Sequence, residues 1–354
     1  MAYKMGFIGF GGMAGGYHYG TVKRDDIPFE PVAVFDIDPA RRADAANKGM
    51  KAYDKLDDFF AAEKYDLVLV ATANNYHCEM TCRALEAGCN VMVEKPAAMN
   101  TAELQKMIDT AERCGKLFTV HQNRRWDSDF RMIRQALEDD YVGKPYVIES
   151  RIHSANGAGD MYGWRGMADH GGGMLLDWGV HMLDQLLYLI KEPVKTVSAN
   201  VFPLWSEEVD DYSKVILTFE SGLVAQMEVV TYSPIPLPRW MVYGDKGAMT
   251  ISSIGAPSVH VRRIKEDSFY TWDAPAFEDY QVKYRKQRRH EIKEFEEMDI
   301  SPEVNGDWGS VYKNIAGVLD GTEELIVKPC EVMRTLKVIE AAFRSSKEGI
   351  TVKF

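Results

Sequence analysis

At 354 residues the chain exceeds one ordinary hydrophobic core, so two domains are expected. Its 46% hydrophobic and 27% charged residues match a soluble globular protein rather than a disordered or fibrous one. A formal net charge of -11 argues against nucleic acid, whose phosphates demand clustered cations, and equally against an anionic membrane surface.

The first third alternates short apolar runs with helical patterns. Strands are predicted at Met5–Phe10, Pro31–Asp36, Asp66–Thr72, Asn90–Glu94 and Leu117–His121. Helices are predicted between them at Met13–Lys23, Pro39–Lys48, Leu56–Ala62, Tyr76–Ala87 and Thr101–Cys114. Pro39 suits a first helical turn, and Thr101 with Leu104 and Ile108 suits a capped amphipathic helix. Such repetition means a parallel sheet covered on both faces, an α/β domain expected to span residues 1–122.

The pattern changes after Gln122, where a second domain, 123–354, is expected. Asp129–Leu137 reads as a helix and Tyr146–His153 as a strand. A glycine-rich loop from Asn156 to Gly173 precedes the predicted helix Leu175–Ile190. Thr196–Phe202, Lys214–Glu220, Leu223–Thr231, Arg239–Tyr243 and Ala248–Ser252 then read as strands, joined at Ser221-Gly222 and around Gly244-Asp245-Lys246-Gly247. This half is expected to be α+β, with an open, mostly antiparallel sheet. Within Asp267–Ile300 the charged run Lys283–Lys293, with Lys286, Arg288 and Arg289, reads as a solvated helix face or surface insertion. Trp308–Leu319 and Glu331–Ser345 close the chain as helices.

Cys78, Cys82, Cys89, Cys114 and Cys330 are an odd number without framework spacing, which fits reduced thiols in the cytoplasm. Cys78 and Cys82 lie one helical turn apart but lack a second ligand pair, so no metal site is expected. No charged-apolar-small leader pattern and no bilayer-length apolar run is present, so a cytoplasmic location is expected.

Gly9-Phe10-Gly11-Gly12-Met13-Ala14 fits G-x-G-x-x-[G/A] between a strand and a helix. Gly9 permits the turn, Gly11 lets a pyrophosphate approach the backbone, and Ala14 allows close helix–sheet packing. The helix N-terminus supplies free N–H groups to phosphate. The next strand ends at Asp36, whose carboxylate can accept ribose hydroxyls and repels a 2′-phosphate. The expected cofactor is therefore NAD in preference to NADP, although Arg41 and Arg42 follow closely enough to soften the choice.

Two later strands end in chemically useful segments, Ala71-Thr72-Ala73-Asn74-Asn75-Tyr76-His77 and Glu94-Lys95-Pro96. Pro96 favours an extended Lys95, aiming its ammonium along the strand into the crevice. In Gly171-Gly172-Gly173-Met174-Leu175-Leu176-Asp177-Trp178-Gly179-Val180-His181, Asp177 and His181 are four apart and share one face of an α-helix. An aspartate beside a histidine fixes its tautomer, as a general base requires.

Together these motifs, in this order, resemble the Gfo/Idh/MocA (glucose–fructose oxidoreductase/inositol dehydrogenase) family over nearly the whole chain, apart from residues 256–307. The resemblance implies a Rossmann domain, a substrate domain with an open sheet, and a homo-oligomer, a dimer or tetramer. It carries catalytic roles onto Lys95, Asp177 and His181. Cofactor contacts carry over onto Gly9, Phe10, Gly11, Gly12, Met13, Asp36, Thr72, Asn74, His77, Glu94 and Lys95, with Asn123, Trp164 and Arg165 near the nicotinamide.

The reaction expected is hydride transfer between nicotinamide and a secondary alcohol of a sugar, glycoside or cyclitol. His181 would take the hydroxyl proton with Asp177 orienting it, and Lys95 would stabilise the reacting oxygen. Trp164, Trp178 and Tyr162 would stack on the substrate ring, while Asn156 and Arg165 would bind hydroxyls. Two other readings stand beside it: a redox-neutral glycoside-processing enzyme with retained NAD, and an NAD-binding sensor on the same fold. A sensor would not need Lys95, Asp177 and His181 together.

Overall fold

Apolar strands buried on both faces read as continuous hydrophobic runs, and Leu67–Val70 is such a run, with no exposed side chain. In the computed structural model, which describes residues 2–156, 163–273, 288–292 and 294–354, this segment is β4 of a six-stranded parallel sheet. Its companions are β1 (Tyr3–Ile8), β2 (Phe29–Phe35), β3 (Lys51–Tyr53), β5 (Asn90–Val93) and β6 (Phe118–Val120), in the order 3-2-1-4-5-6. The order reverses between β1 and β4, which opens a ligand crevice at the carboxyl ends of the strands. The sequence does not announce β3, because three half-exposed residues carry no periodic signal.

The first crossover helix begins with the π-wound turn Met13–His18 and continues as α1 (Tyr19–Val22). It is followed by α2 (Pro39–Asn47), α3 (Leu56–Ala62), α4 (His77–Glu86) and α5 (Thr101–Cys114). Pro39 does open α2, with the Asp38 carboxylate accepting the Ala40 N–H at 2.8 Å. The cap of α5 is Asn100, which accepts the Glu103 N–H. Thr101 instead donates its hydroxyl to Glu340 at 3.0 Å.

The second half opens with α6 (Ser128–Glu138) and β7 (Pro145–His153); Leu175–Gly179, another π turn, leads into α7 (Val180–Leu189). Then come β8 (Val194–Phe202), β9 (Tyr212–Phe219), β10 (Val224–Val230), β11 (Trp240–Gly244), β12 (Gly247–Ile251) and β13 (Val259–Ile264). A short hairpin, β14 (Phe269–Asp273) with β15 (Arg288–Ile292), precedes β16 (Phe295–Ile300). The chain closes with α8 (Ser310–Leu319), α9 (Pro329–Glu348) and β17 (Val352–Lys353). The large sheet runs β16-β13-β12-β11-β7-β10-β9-β8-β17 and is antiparallel except between β7 and β10. Helices α7 and α9 pack against this sheet, and buried and half-exposed residues alternate along β9.

Of the charged run Lys283–Lys293, the described part, Arg288–Ile292, is the strand β15 and so not a helix face, and the other described parts of Asp267–Ile300 are mainly strands. Charges there recur at the strand period and pair across the ladder, Arg262 with Glu297 at 3.2 Å and His260 with Asp299 at 3.1 Å. Lys283, Lys286 and Lys293 lie outside the described residues. The last helices return to the first domain. Tyr312 of α8 is fully buried against His18 and Phe29, and Arg125, just after β6, joins Asp184 of α7 and Glu331 of α9 through charged bonds of 2.6–2.7 Å.

Candidate active site

Gly9 adopts φ +87°, and a Cβ there would lie 2.6 Å from the Ala71 carbonyl, so only glycine serves. At Gly11 and Gly12 a Cβ would meet nothing within 4 Å, and no side chain caps the helix that Gly12 opens. An open concavity facing uncapped backbone N–H groups suits a pyrophosphate. The Asp36 carboxylate accepts the N–H groups of Phe10 at 2.7 Å and Asp38 at 2.8 Å, fixing it beside this loop. Arg42 is committed to backbone, donating to the carbonyls of Asp36 and Ile37, while Arg41 sits 4.0 Å from Asp38. Phe10 buries its side chain edge-on to Phe7 and Tyr19, so only its main chain reaches the cradle. Met13 is exposed at the loop.

Several residues expected at the cofactor act as braces in this structure. Asn74 is buried and donates to the Gly171 carbonyl at 2.8 Å, tying β4's end to the glycine-rich loop. His77 is fully buried, its ring nitrogens 2.8 Å from the Pro96 carbonyl and 3.2 Å from that of Thr72, and burial lowers its pKa. The Thr72 hydroxyl donates to the Ala73 carbonyl at 3.2 Å. Glu94 is buried with Oε1 2.6 Å from His18 Nε2, and Asn123 is buried at the start of a short 3₁₀ turn.

The expected catalytic residues do converge from both domains, but their pairing differs. Lys95 Nζ donates to Asp177 Oδ1 at 2.6 Å and to the Asp177 carbonyl at 2.9 Å. Arg165 Nε stands 3.7 Å from the same Oδ1. Burial alone would raise the Asp177 pKa; Lys95, then Arg165 and Arg124, outweigh it and hold the carboxyl below its usual range. His181 bonds through Nδ1 to Gln122 Oε1 at 3.0 Å, so Gln122 takes the orienting role expected of Asp177. The correction follows from the π winding of Leu175–Gly179, which turns residue 181 off the face that an α-helix would share with residue 177. Nothing in the spacing gives Gln122 away, although it lies only two residues past β6.

An amide oxygen can only accept, so Nδ1 of His181 carries the proton and Nε2 keeps its lone pair. Burial first, then the charges of Lys95 and Arg124, push the imidazole well below its ordinary pKa and keep it neutral. Asp177, the partner of Lys95, lines a cavity of about 320 Å³ together with Asn156, Arg165, Trp178 and Thr231 among others. Arg124 lies over the Trp178 ring at 4.1 Å, and Arg165 over that of Trp164 at 4.7 Å. Tyr162 lies outside the described residues.

Comparisons with known proteins agree with this fold. Residues 3–122 match the model of an oxidoreductase family with an NAD-binding Rossmann fold, and residues 130–250 match the GFO/IDH/MocA C-terminal domain. The NADP-linked scyllo-inositol 2-dehydrogenase IolW of Bacillus subtilis is 29% identical over 81% of this chain and 78% of its own. A D-glucoside 3-dehydrogenase of Escherichia coli is 34% identical over 56% of this chain and 57% of its own. Among solved structures, an NAD-binding protein from Listeria innocua superposes with a TM-score of 0.83 at 39% identity, covering 100% of this chain and 97% of that one.

Proposed function

From the premise that this chain belongs to the GFO/IDH/MocA family of NAD(P)-dependent oxidoreductases, we propose that it acts on a ring-borne secondary alcohol of a sugar, glycoside or cyclitol. The observation that carries the reading is the junction of Lys95, at the end of a Rossmann strand, with Asp177 of the second domain at 2.6 Å, beside a cavity and a neutral His181. The bound nicotinamide supplies the hydride acceptor or donor. His181 Nε2 takes the hydroxyl proton during oxidation and returns it during reduction. The Lys95 ammonium, aimed by Asp177, stabilises negative charge growing on the same oxygen. Arg165 and Asn156 bind neighbouring hydroxyls, and the face of Trp178 not covered by Arg124 packs on ring C–H groups.

NAD is the preferred cofactor in this reading, because Asp36 faces the cradle and Arg42 is spent on carbonyls. The inositol and glucoside dehydrogenases among its relatives set the first substrates to try. A panel of inositols, aldoses and glycosides, each with NAD and NADP, tests the proposal by reduced-nicotinamide absorbance. Turnover of one ring polyol with NAD is expected. Failure of every ring polyol alongside turnover of acyclic alcohols would overturn it.

A further inference from the structure

Glu94 and Lys95 are consecutive at the end of β5, and His121 and Gln122 are consecutive at the end of β6. In each pair the second residue serves the cleft: Lys95 meets Asp177, and Gln122 meets His181. The first residue of each pair turns into the protein. Glu94 Oε1 lies 2.6 Å from His18 Nε2 and 2.7 Å from His121 Nδ1, while Oε2 accepts the Lys95 N–H at 3.1 Å. Tyr312 completes the group from α8, its hydroxyl 2.6 Å from His18 Nδ1. His18, His121 and Tyr312 have no exposed surface, and Glu94 is 6% exposed.

We infer that His18, Glu94 and His121 are positioning residues for the reaction, a buried clamp that holds the ends of β5 and β6 so that Lys95 and Gln122 present their groups in register. The inference rests on the reading that Lys95 and His181 act at the substrate. Burial, followed by the charge of His121, lowers the His18 pKa to about 4, so the ring is neutral. In that form Nε2–H donates to the carboxylate and Nδ1 accepts from the Tyr312 hydroxyl. Burial alone would raise Glu94, but His121 beside it and the bond from His18 hold it well below its ordinary value.

The same three ligand atoms lie within 4.8 Å of one another, a spread that a metal ion can bridge. The separations favour the clamp. Two ligands roughly 2.0–2.1 Å from a tetrahedral zinc would stand about 3.3 Å apart, whereas both nitrogens here lie at 2.6–2.7 Å from one oxygen. His121 Nδ1 makes its approach off the axis of a linear hydrogen bond, and neither of its nitrogens completes one. Its contribution to the clamp is electrostatic.

The clamp also reaches His181 through charge. The groups acting on that imidazole are Lys95, Arg124 and His121, which lower its pKa, and Glu94, which raises it; Asp177 lies on its own element. Glu94→Gln therefore loosens the strand ends and pushes His181 further down.

The test uses the full-length protein, Glu94→Gln and Tyr312→Phe. Side-chain ¹⁵N spectra of the histidines should show a neutral His18 protonated at Nε2 in the parent, with a shifted Nδ1 resonance in Tyr312→Phe. Steady-state kinetics of Glu94→Gln should show kcat reduced roughly 10-fold to 10²-fold, as expected of sub-ångström misplacement. NADH affinity should stay within about twofold. The acid limb of kcat/KM should move to lower pH, which a purely structural lesion would not cause. A charged or Nδ1-protonated His18, a stoichiometric metal in the purified parent, or lost NADH affinity with kcat preserved would each overturn the clamp. Because the spectra need no substrate, a correct His18 tautomer alongside a full-speed His181→Ala enzyme would sink the acid–base reading while supporting the clamp. If Glu94→Gln does not fold, Tyr312→Phe carries the spectroscopic test.

Discussion

Lys95 and Asp177 share a bond, so their substitutions are expected to be non-additive. Lys95→Met should lower turnover by about 10²–10⁴-fold while NAD binding survives. Adding Asp177→Asn to it should cost little more. Asp177→Asn combined with His181→Ala should instead accumulate losses, because His181 is oriented by Gln122; sub-additive losses in that pair would restore an Asp177–His181 couple. Lys95 also sets a pH limb. Its charge helps depress His181, so the acid limb of oxidation should lie below the ordinary histidine pKa of 6.5 and rise in Lys95→Met. A limb that falls in that variant would contradict the assignment. Asp36→Ser should weaken NAD use and relatively improve NADP, measured as the ratio of the two kcat/KM values. The sequence made Lys95, Asp177 and His181 candidates because strand ends and glycine-flanked helix starts are legible. Their partners were not, since one residue of extra winding decides which side chains meet.

The helix that carries Asp177 and His181 is anchored by Asp210. Its Oδ2 accepts the Leu175 N–H at 2.8 Å and the Ser213 hydroxyl, and a Cβ on Gly173 would lie 2.3 Å from Oδ1. Burial raises the Asp210 pKa from 3.8 to about 6. A raised acid binds its proton more tightly when folded, so its stabilising contribution is full below about pH 4 and lost as pH rises through about 6. Asp210→Asn should flatten that part of the stability profile, by about 3 kcal/mol at most, with chemical denaturation at pH 4 and pH 7 as the check. An unchanged pH slope would place the titration elsewhere. Elements with a clear period were readable: α3 and α5 have the bounds that the pattern predicts. What escaped was β3, too short for a period, and β16, whose alternating charges pair with β13 rather than bury an apolar face.

On the face of the large sheet turned from α7 and α9, Val147, Glu149, Ile216, Val224, Gln226 and Met241 form a half-buried surface in register across four strands. We expect it to be covered by a second copy, and sedimentation at micromolar concentration should show a dimer or tetramer; a monomer alone would refute this. Among the described residues no helix is long and apolar enough to cross a membrane. The return of α8 to the first domain bears on how the polypeptide is made. The hydroxyl that satisfies His18 belongs to residue 312, and Thr119 of β6 donates to the Val327 carbonyl. A nascent chain therefore cannot finish its nucleotide-binding half until these late segments have left the ribosome. The N-terminal sheet must wait, its histidine pocket open, through synthesis of the entire second sheet. Ribosome-stalled chains ending before Ser310 should accordingly be cut by protease within the first 122 residues, and chains released at full length should resist.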